Sequence, residues 1–220
     1  MRYEKGHKSE THKRIIDAAS QRFREEGIES VGVAGLMADA GLTHGGFYSH
    51  FSSKEELVRD AVVAALDRTL EVLEHAAQGA GGLEAIFRAY LQPDHRDTPG
   101  QGCVFACLGA ELARHPANTR AALAERLERF VAMIAKRLPF ADPKDRQDCA
   151  FAIFGAMVGT LQLARTVSDS TLSDRVLNNG IIAAQSLAAH WSKEASIERN
   201  RQGRGRNRLP SHGQPPIVST

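Results

Sequence analysis

Cysteine and long apolar runs are scarce in this 220-residue chain, and each scarcity closes off a class of protein. Three cysteines, Cys103, Cys107 and Cys149, do not make the disulfide framework of a secreted fold. The longest stretch without a charge, 149–164, is 16 residues, short of the ~20 needed to span a bilayer. The opening MRYEKGHKSETHKR contains no apolar signal segment. A cytoplasmic chain with no membrane partner is therefore expected. No segment shows the strict alternation of a half-buried strand, and no internal repeat is present. A phosphate loop, an HExxH and a CxxC pair are all missing, as is any Ser/His/Asp set at useful spacing. No enzyme, catalytic residue, cofactor or metal is expected. His75, His95, His115 and His190 are scattered without metal-ligand spacing and read as surface residues.

Composition is ordinary for a globular protein, at 42% hydrophobic and 25% charged residues. The net charge of +2 is uninformative, but positive charge gathers at the two ends. Arg2, Lys5, Lys8, Lys13 and Arg14 oppose Glu4 and Glu10 at the front. Lys193 and five arginines oppose Glu194 and Glu198 at the back. Such an arm suits phosphate, and equally a solvated tail.

Periodicity predicts an all-α protein of about nine helices. A first helix over 10–26 carries Ile15, Ala19 and Phe23 on one stripe and ends at Gly27, which takes the left-handed conformation at no steric cost. A long helix opens at a Ser53–Glu56 capping box and runs to about 77 through Leu57, Ala61, Ala64 and Val72. After the glycine-rich break at 79–82, helices are expected over 83–91, 103–114, 118–138, 143–167 and 173–191, with a loop over 93–102. Asp142 and Pro143 start the fourth of these as N-cap and first helical residue. Beyond Lys193 the Gly-, Pro- and Arg-rich sequence reads as disordered.

The informative segment is 33–57, VAGLMADAGLTHGGFYSHFSSKEEL. It predicts a short helix over 33–40, a Gly-Leu-Thr turn at 41–43 and a second short helix over 44–51. Two short helices around a tight glycine-containing turn place a recognition helix in the DNA major groove. Leu36, Ala40, Leu42, Phe47 and Phe51 would lock the pair onto the first helix. Thr43 would cap the second helix, and His44, Gly45 and Gly46 would form its first turn, small enough for close approach to phosphate. The two glycines cost a helix about 1 kcal/mol each relative to alanine. Tyr48 could reach phosphate, His44 and Tyr48 base edges, and Lys54 would add a cation.

The stretches RIIDAASQRFREEG and AGLTHGGFYSHFSSKEELV, within 15–63, resemble the DNA-binding domain of the TetR family of transcriptional regulators. The resemblance implies an all-α homodimer, a palindromic double-stranded operator, and repression relieved by a small molecule. Carried over by position, Thr43, His44, Gly45, Tyr48 and Lys54 fall where family members touch DNA, and Gly46 and His50 complete the candidate DNA-binding residues. The chain departs from the family at Gly32 and Val33, where a capping Thr or Ser is usual, and at Gly35, where an acid is common.

Residues 1–60 are expected to form the DNA-binding domain, with a basic arm over 1–9. Residues 61–192 would form the ligand-binding and dimerisation domain, and 193–220 a basic tail. In 143–167, apolar residues over two stripes must be covered twice. Phe151, Gly155, Val158 and Gly159, with Leu177, Ile181, Ala184 and Ala188, are the candidate dimer face, the family's usual contact. Candidate walls for a small, largely apolar effector are Phe87, Tyr90, Cys103, Cys107, Phe130, Met133, Phe151 and Phe154. Two other readings stay open. Cys103 and Cys107, four residues apart, could sense electrophiles or oxidants. Alternatively, the chain is a helical adaptor, which would have no need of the residues between Thr43 and Lys54.

Overall fold

The computed structural model describes the backbone of residues 2–79 and 81–206 and the side chains of residues 8–79 and 81–191. Nine α-helices and no strand are found among the described residues. They are α1 (Arg2–Glu26), α2 (Val33–Asp39), α3 (Lys54–Ala76), α4 (Gly82–Tyr90), α5 (Pro93–Asp97), α6 (Val104–Leu112), α7 (Ala117–Ala135), α8 (Pro143–Thr166) and α9 (Ser170–Arg206). Two short 3-10 helices, His44–Ser49 and Pro99–Gln101, complete the set.

The number nine matches expectation, but the members differ. The second motif helix is a 3-10 helix, and the expected loop over 93–102 holds α5 and the 3-10 turn. At the front, α1 runs back to Arg2, so the basic arm is helical backbone continuous with it. At the back, α9 continues to Arg206 where disorder was expected from 193, and residues 207–220 lie outside those described.

The first unit is built on α1. Ile15, Ala19 and Phe23 are fully buried, and Leu36, Phe47 and Phe51 close over them, with Leu42 half-buried at the edge. Gly27 has φ +85°, and its missing Cβ makes room for Glu111, whose Oε2 accepts from the Ile28 amide at 2.9 Å. A glycine signal for a helix end thus also marks a seam between the first unit and α6. Ser53 caps α3 by accepting from the Glu56 amide at 3.1 Å. The expected reciprocal bond is displaced by one residue: Glu56 accepts from the Ser52 amide (2.7 Å) and hydroxyl (2.5 Å).

The expected boundary between residues 60 and 61 falls inside α3, which passes unbroken from one unit into the other. Its buried stripe is Leu57, Val58, Ala61, Val62, Ala65, Leu66, Leu70 and Leu73, while Val72 is 61% exposed. In the second unit α8 packs against α6, α7 and α9. By length and composition α8 could cross a membrane, but its inner residues Ile153, Phe154, Met157, Leu161 and Ala164 fill this chain's own core.

That packing corrects half of the expected dimer face. Leu177, Ile181 and Ala184 point inward onto α8 and are buried, and Ala188 is half-buried against the core. The close approach of α8 and α9 occurs at Gly180, where a Cβ would lie 2.4 Å from Thr160. Gly155 and Gly159 have nothing within 4 Å of an added Cβ. They lie on the outer side with Phe151, and Val158 is half-buried beside them.

Candidate nucleic-acid interface

The helix-turn-helix segment takes its shape from two bonds and one left-handed residue. Gly41 adopts φ +70°, while the Gly41 amide donates to the Ala38 carbonyl (2.9 Å) and the Leu42 amide to Met37 (2.8 Å). This ends α2 and sends the chain into the 3-10 helix at once. Gly32 caps α2 without a side-chain bond, as its lack of a side chain requires. The glycine at 35 leaves space for Arg22, whose Nη1 would lie 3.0 Å from a Cβ there. Arg22 uses that space to pair with Asp39 (2.8 Å) while its other nitrogens hold Glu26, fastening α2 to α1.

Phe47 and Phe51 are each 1% exposed, with rings stacked 5.6 Å apart. Anchoring Phe47 inward turns its neighbour Tyr48 outward, where it is 70% exposed and meets His44 edge-on at 6.5 Å. Thr43, His44, Gly45 and Tyr48 form an exposed rim, and Gly46 is half-buried behind it. Thr43 holds the N-cap position, but its hydroxyl makes no capping bond. Six residues of 3-10 helix also carry little dipole, so recognition here falls to side chains and close approach.

The two glycines of this rim are not demanded by the chain itself. A Cβ at Gly45 would meet nothing within 4 Å, and one at Gly46 would make ordinary contact with Met37 Cε at 3.6 Å. Neither has a positive φ. The surface therefore stays bare at Gly45 for no internal reason.

Two other expected contacts differ from their simple form. Lys54 is half-buried, and its Nζ donates to the Ile28 carbonyl at 2.7 Å, so it is not a free cation in this state. His50 is half-buried beside α1: its ring lies 6.0 Å from that of His12, which stacks on Phe51 at 4.4 Å. Lys8, Ser9, His12, Ser49 and His50 line an open hollow of about 350 Å³. Burial, then the charges of His12 and Lys8, hold the His50 pKa below its ordinary value. Sequence reading had Lys8 and Ser9 only as part of the basic arm and missed His12 as part of this surface. The available signal was that Lys8 and His12 are four apart on one helix.

The expected effector walls are mostly packed core. Phe130 stacks on Phe154 at 4.9 Å, and Tyr90 and Phe105 meet Phe154 edge-on at 6.1 and 5.9 Å. Phe87 and Met133 are buried with them, whereas Phe151 is 41% exposed on the outer face and cannot be a wall. Cys103 is fully buried and Cys107 half-buried. Burial pushes both thiols up; on Cys107 it outweighs Arg165, whose Nη1 donates to Sγ at 3.1 Å. Burial thus disfavours the thiolate at both positions, more completely at Cys103 than at Cys107.

A cleft of about 310 Å³ lies instead between α1, α3, α4 and the segment 92–101. Of the eight nominated residues only Tyr90 lines it, together with Arg24, Arg68, Thr69, Val72 and His95 among others. His95 is half-buried, contrary to a surface reading. Its Nε2 accepts from the Cys103 amide at 2.9 Å, which puts the ring proton on Nδ1, 2.6 Å from the Tyr90 carbonyl. Burial, opposed by that carbonyl, pushes its pKa down to about 4, so the ring is neutral at pH 7. His115 is also half-buried, 2.9 Å from Glu55.

Comparison with known proteins agrees with this architecture. Residues 15–61 match the family described as "Bacterial regulatory proteins, tetR family", and residues 79–179 match "Tetracyclin repressor-like, C-terminal domain". The uncharacterized HTH-type transcriptional regulator YfiR of Bacillus subtilis is 32% identical over 74 residues, 34% of this chain and 36% of that protein. The regulator UidR of Escherichia coli is 25% identical over 134 residues, 61% of this chain and 67% of that protein. Curated relatives such as YfiR are thus matched over little more than a third of their length. Among solved structures, SCO4454, a TetR-family transcriptional regulator from Streptomyces coelicolor, superposes with a TM-score of 0.68. It is 21% identical, and the match covers 84% of this chain and 97% of that one.

Proposed function

Because the chain belongs to the TetR family of transcriptional regulators, non-enzymatic DNA-binding proteins, we propose that it represses transcription as a homodimer on a palindromic operator. A small molecule seated in the cleft between α1, α3 and α4 releases it. Residues 1–60 contact DNA and lend Arg24 to the effector cleft, while residues 61–192 supply the rest of that cleft and the face for the partner copy. Thr43, His44, Gly45 and Tyr48 approach the major groove, while His50 and Lys54 serve the phosphate backbone. Two recognition helices roughly 34–36 Å apart would meet successive major grooves on one side of the duplex. The partner copy covers the outer side of α8 and α9, where Phe151, Leu163 and Ile182 are exposed beside Gly155 and Gly159.

The observation that carries this reading is the rim at 43–48: an outward tyrosine beside a glycine that nothing in the chain requires. DNA lying against Gly45 supplies the missing reason. The test is fluorescence anisotropy on the DNA upstream of the chain's own gene, over a salt series. Wild-type affinity falls steeply as salt rises, because phosphate contacts release counterions. Gly45→Leu, which has open space in the free protein, leaves stability within about 0.5 kcal/mol and weakens DNA binding at least about tenfold. Equal affinity of variant and wild type would overturn the placement of Gly45 against the duplex.

A further inference from the structure

The cleft between α1, α3 and α4 contains a cation without an anion. Arg24 is 7% exposed, and among the described residues no carboxylate pairs with it. Its Nε donates to the Gly100 carbonyl at 3.0 Å and its Nη2 to the same oxygen, leaving Nη1 without an acceptor. A buried guanidinium is normally paired, because an uncompensated buried charge is costly. The cost is visible here: burial, then the charge of Arg68, pushes the Arg24 pKa down to about 10.

Tyr90 also lines the cleft; its buried hydroxyl makes no hydrogen bond of good geometry and has only a weak partner, the Cys103 thiol, beside it. The remaining groups do not offset the charge of Arg24. Arg68 is occupied by Asp17 and Ser20 on α1, and both ring nitrogens of His95 are used. Asp94 is the only acid of the lining, and it is exposed at the mouth. Ala65, Val72, Leu73 and Ala89 give the cleft its apolar walls, and Thr69, Gln92, Thr98 and Gln101 add neutral polar groups.

From this we infer that the cleft takes a small organic acid: a carboxylate held by the free edge of Arg24, on an apolar body lying along α3 and α4. The inference deepens the effector reading of the cleft and rests on it. A planar guanidinium fork suits a carboxylate better than any neutral acceptor. The location also links occupancy to DNA. Arg24 stands in the last turn of α1, two residues from the Arg22 that fastens α2. A carboxylate on the free edge of Arg24 acts directly at the end of the helix to which the DNA-binding motif is fastened.

The experiment is calorimetry on the full chain with benzoate, 3-phenylpropionate and octanoate, each set against its neutral amide. It is run on wild type and on Val72→Trp, which fills the cleft from an exposed position. Acids bind wild type at least tenfold more tightly than the amides, and Val72→Trp loses that binding. Arg24→Gln abolishes the preference for the acid; a melting curve shows whether that variant is folded, and the acid–amide comparison on wild type stands without it. Equal binding of acids and amides, lost in Val72→Trp, overturns the anion and leaves the effector cleft standing. Binding by none of the six compounds, or binding untouched by Val72→Trp, overturns the inference. Operator affinity measured on the same samples reports separately on the regulator reading.

Discussion

Acid should weaken this protein through His95. In the folded chain the neutral ring is fixed from both sides: Nε2 accepts the Cys103 amide and Nδ1 faces the Tyr90 carbonyl. Protonation places a hydrogen on Nε2 facing the Cys103 N–H, so that bond must break with the ring half-buried. The folded pKa of about 4 lies below the ordinary 6.5, so the unfolded chain binds the proton more readily. The stability tied to neutral His95 is therefore complete above pH 6.5 and is lost as pH falls through 4. One pKa unit corresponds to about 1.4 kcal/mol, so the loss between pH 7 and pH 5 is about 2 kcal/mol, approaching about 3 below pH 4. Urea unfolding at pH 7 and pH 5, on wild type and His95→Gln, reads it directly. Other histidines contribute to both proteins, so the difference of the two pH effects isolates His95. The variant starts about 1 kcal/mol weaker at pH 7 and loses about 2 kcal/mol less on acidification. The same acid loss in both proteins would refute the assigned tautomer and its cause.

Lys54→Ala removes the charged donor on the Ile28 carbonyl as well as a cation near the duplex. It should cost about 1 kcal/mol in urea unfolding in addition to weakening DNA binding, and unchanged stability would show that the bond to Ile28 is idle. Ile182→Arg sits on the exposed outer side of α9 and should shift sedimentation toward monomer with the far-ultraviolet circular dichroism intact; a dimer of wild-type strength moves the interface elsewhere. The depressed His50 pKa rises beside a phosphate, so DNA binding takes up a proton and affinity should increase from pH 7.5 to pH 6. His50→Gln should flatten that profile, and a profile unchanged by the substitution would remove His50 from the phosphate surface.

What could be read in the sequence was whatever depends on spacing along one element. The stripe Ile15–Ala19–Phe23, the Ser53 cap and the Asp142–Pro143 start all appear in the structure because neighbours four or fewer residues apart determine them. The turn at Gly41 was legible for the same reason. Illegible features depend on what a distant segment contributes. Phe151 and Phe154 are three residues apart on an apolar helix, and only the placement of α6, α7 and α9 decides that one faces out and the other in. Leu177, Ile181 and Ala184 form a regular stripe that suits either a partner copy or the chain's own α8, and α8 takes it. The cleft escaped notice because its defining group, Arg24, sits in a helix's last turn, where a basic residue has an ordinary electrostatic reason to be. His95 was misjudged because nothing local signals that its ring turns inward to the Cys103 amide 8 residues away.

Several contacts between the two units lie at the ends of the DNA-binding motif, and they avoid its outward rim. Glu111 on α6 accepts the Ile28 amide while Lys54 binds the carbonyl of that same residue. Glu55, next to Lys54, is held by His115 and by the Thr119 hydroxyl at 2.6 Å, at the junction of α6 and α7. Arg24 ties the end of α1 to Gly100 on the floor segment of the cleft. These ties join the end of α1, the loop after it and the start of α3 to the second unit, with Lys54 bracing Ile28 from within the first, and none touches Thr43, His44, Gly45 or Tyr48. A shift in the second unit would therefore move the motif as a body on its α1 and α3 supports, with the rim's internal geometry kept. On the proposed dimer, with one rim on each half-site, such a shift would be sufficient for release. Spacing between the two rims need only leave the 34–36 Å repeat of the duplex for both to lose register together.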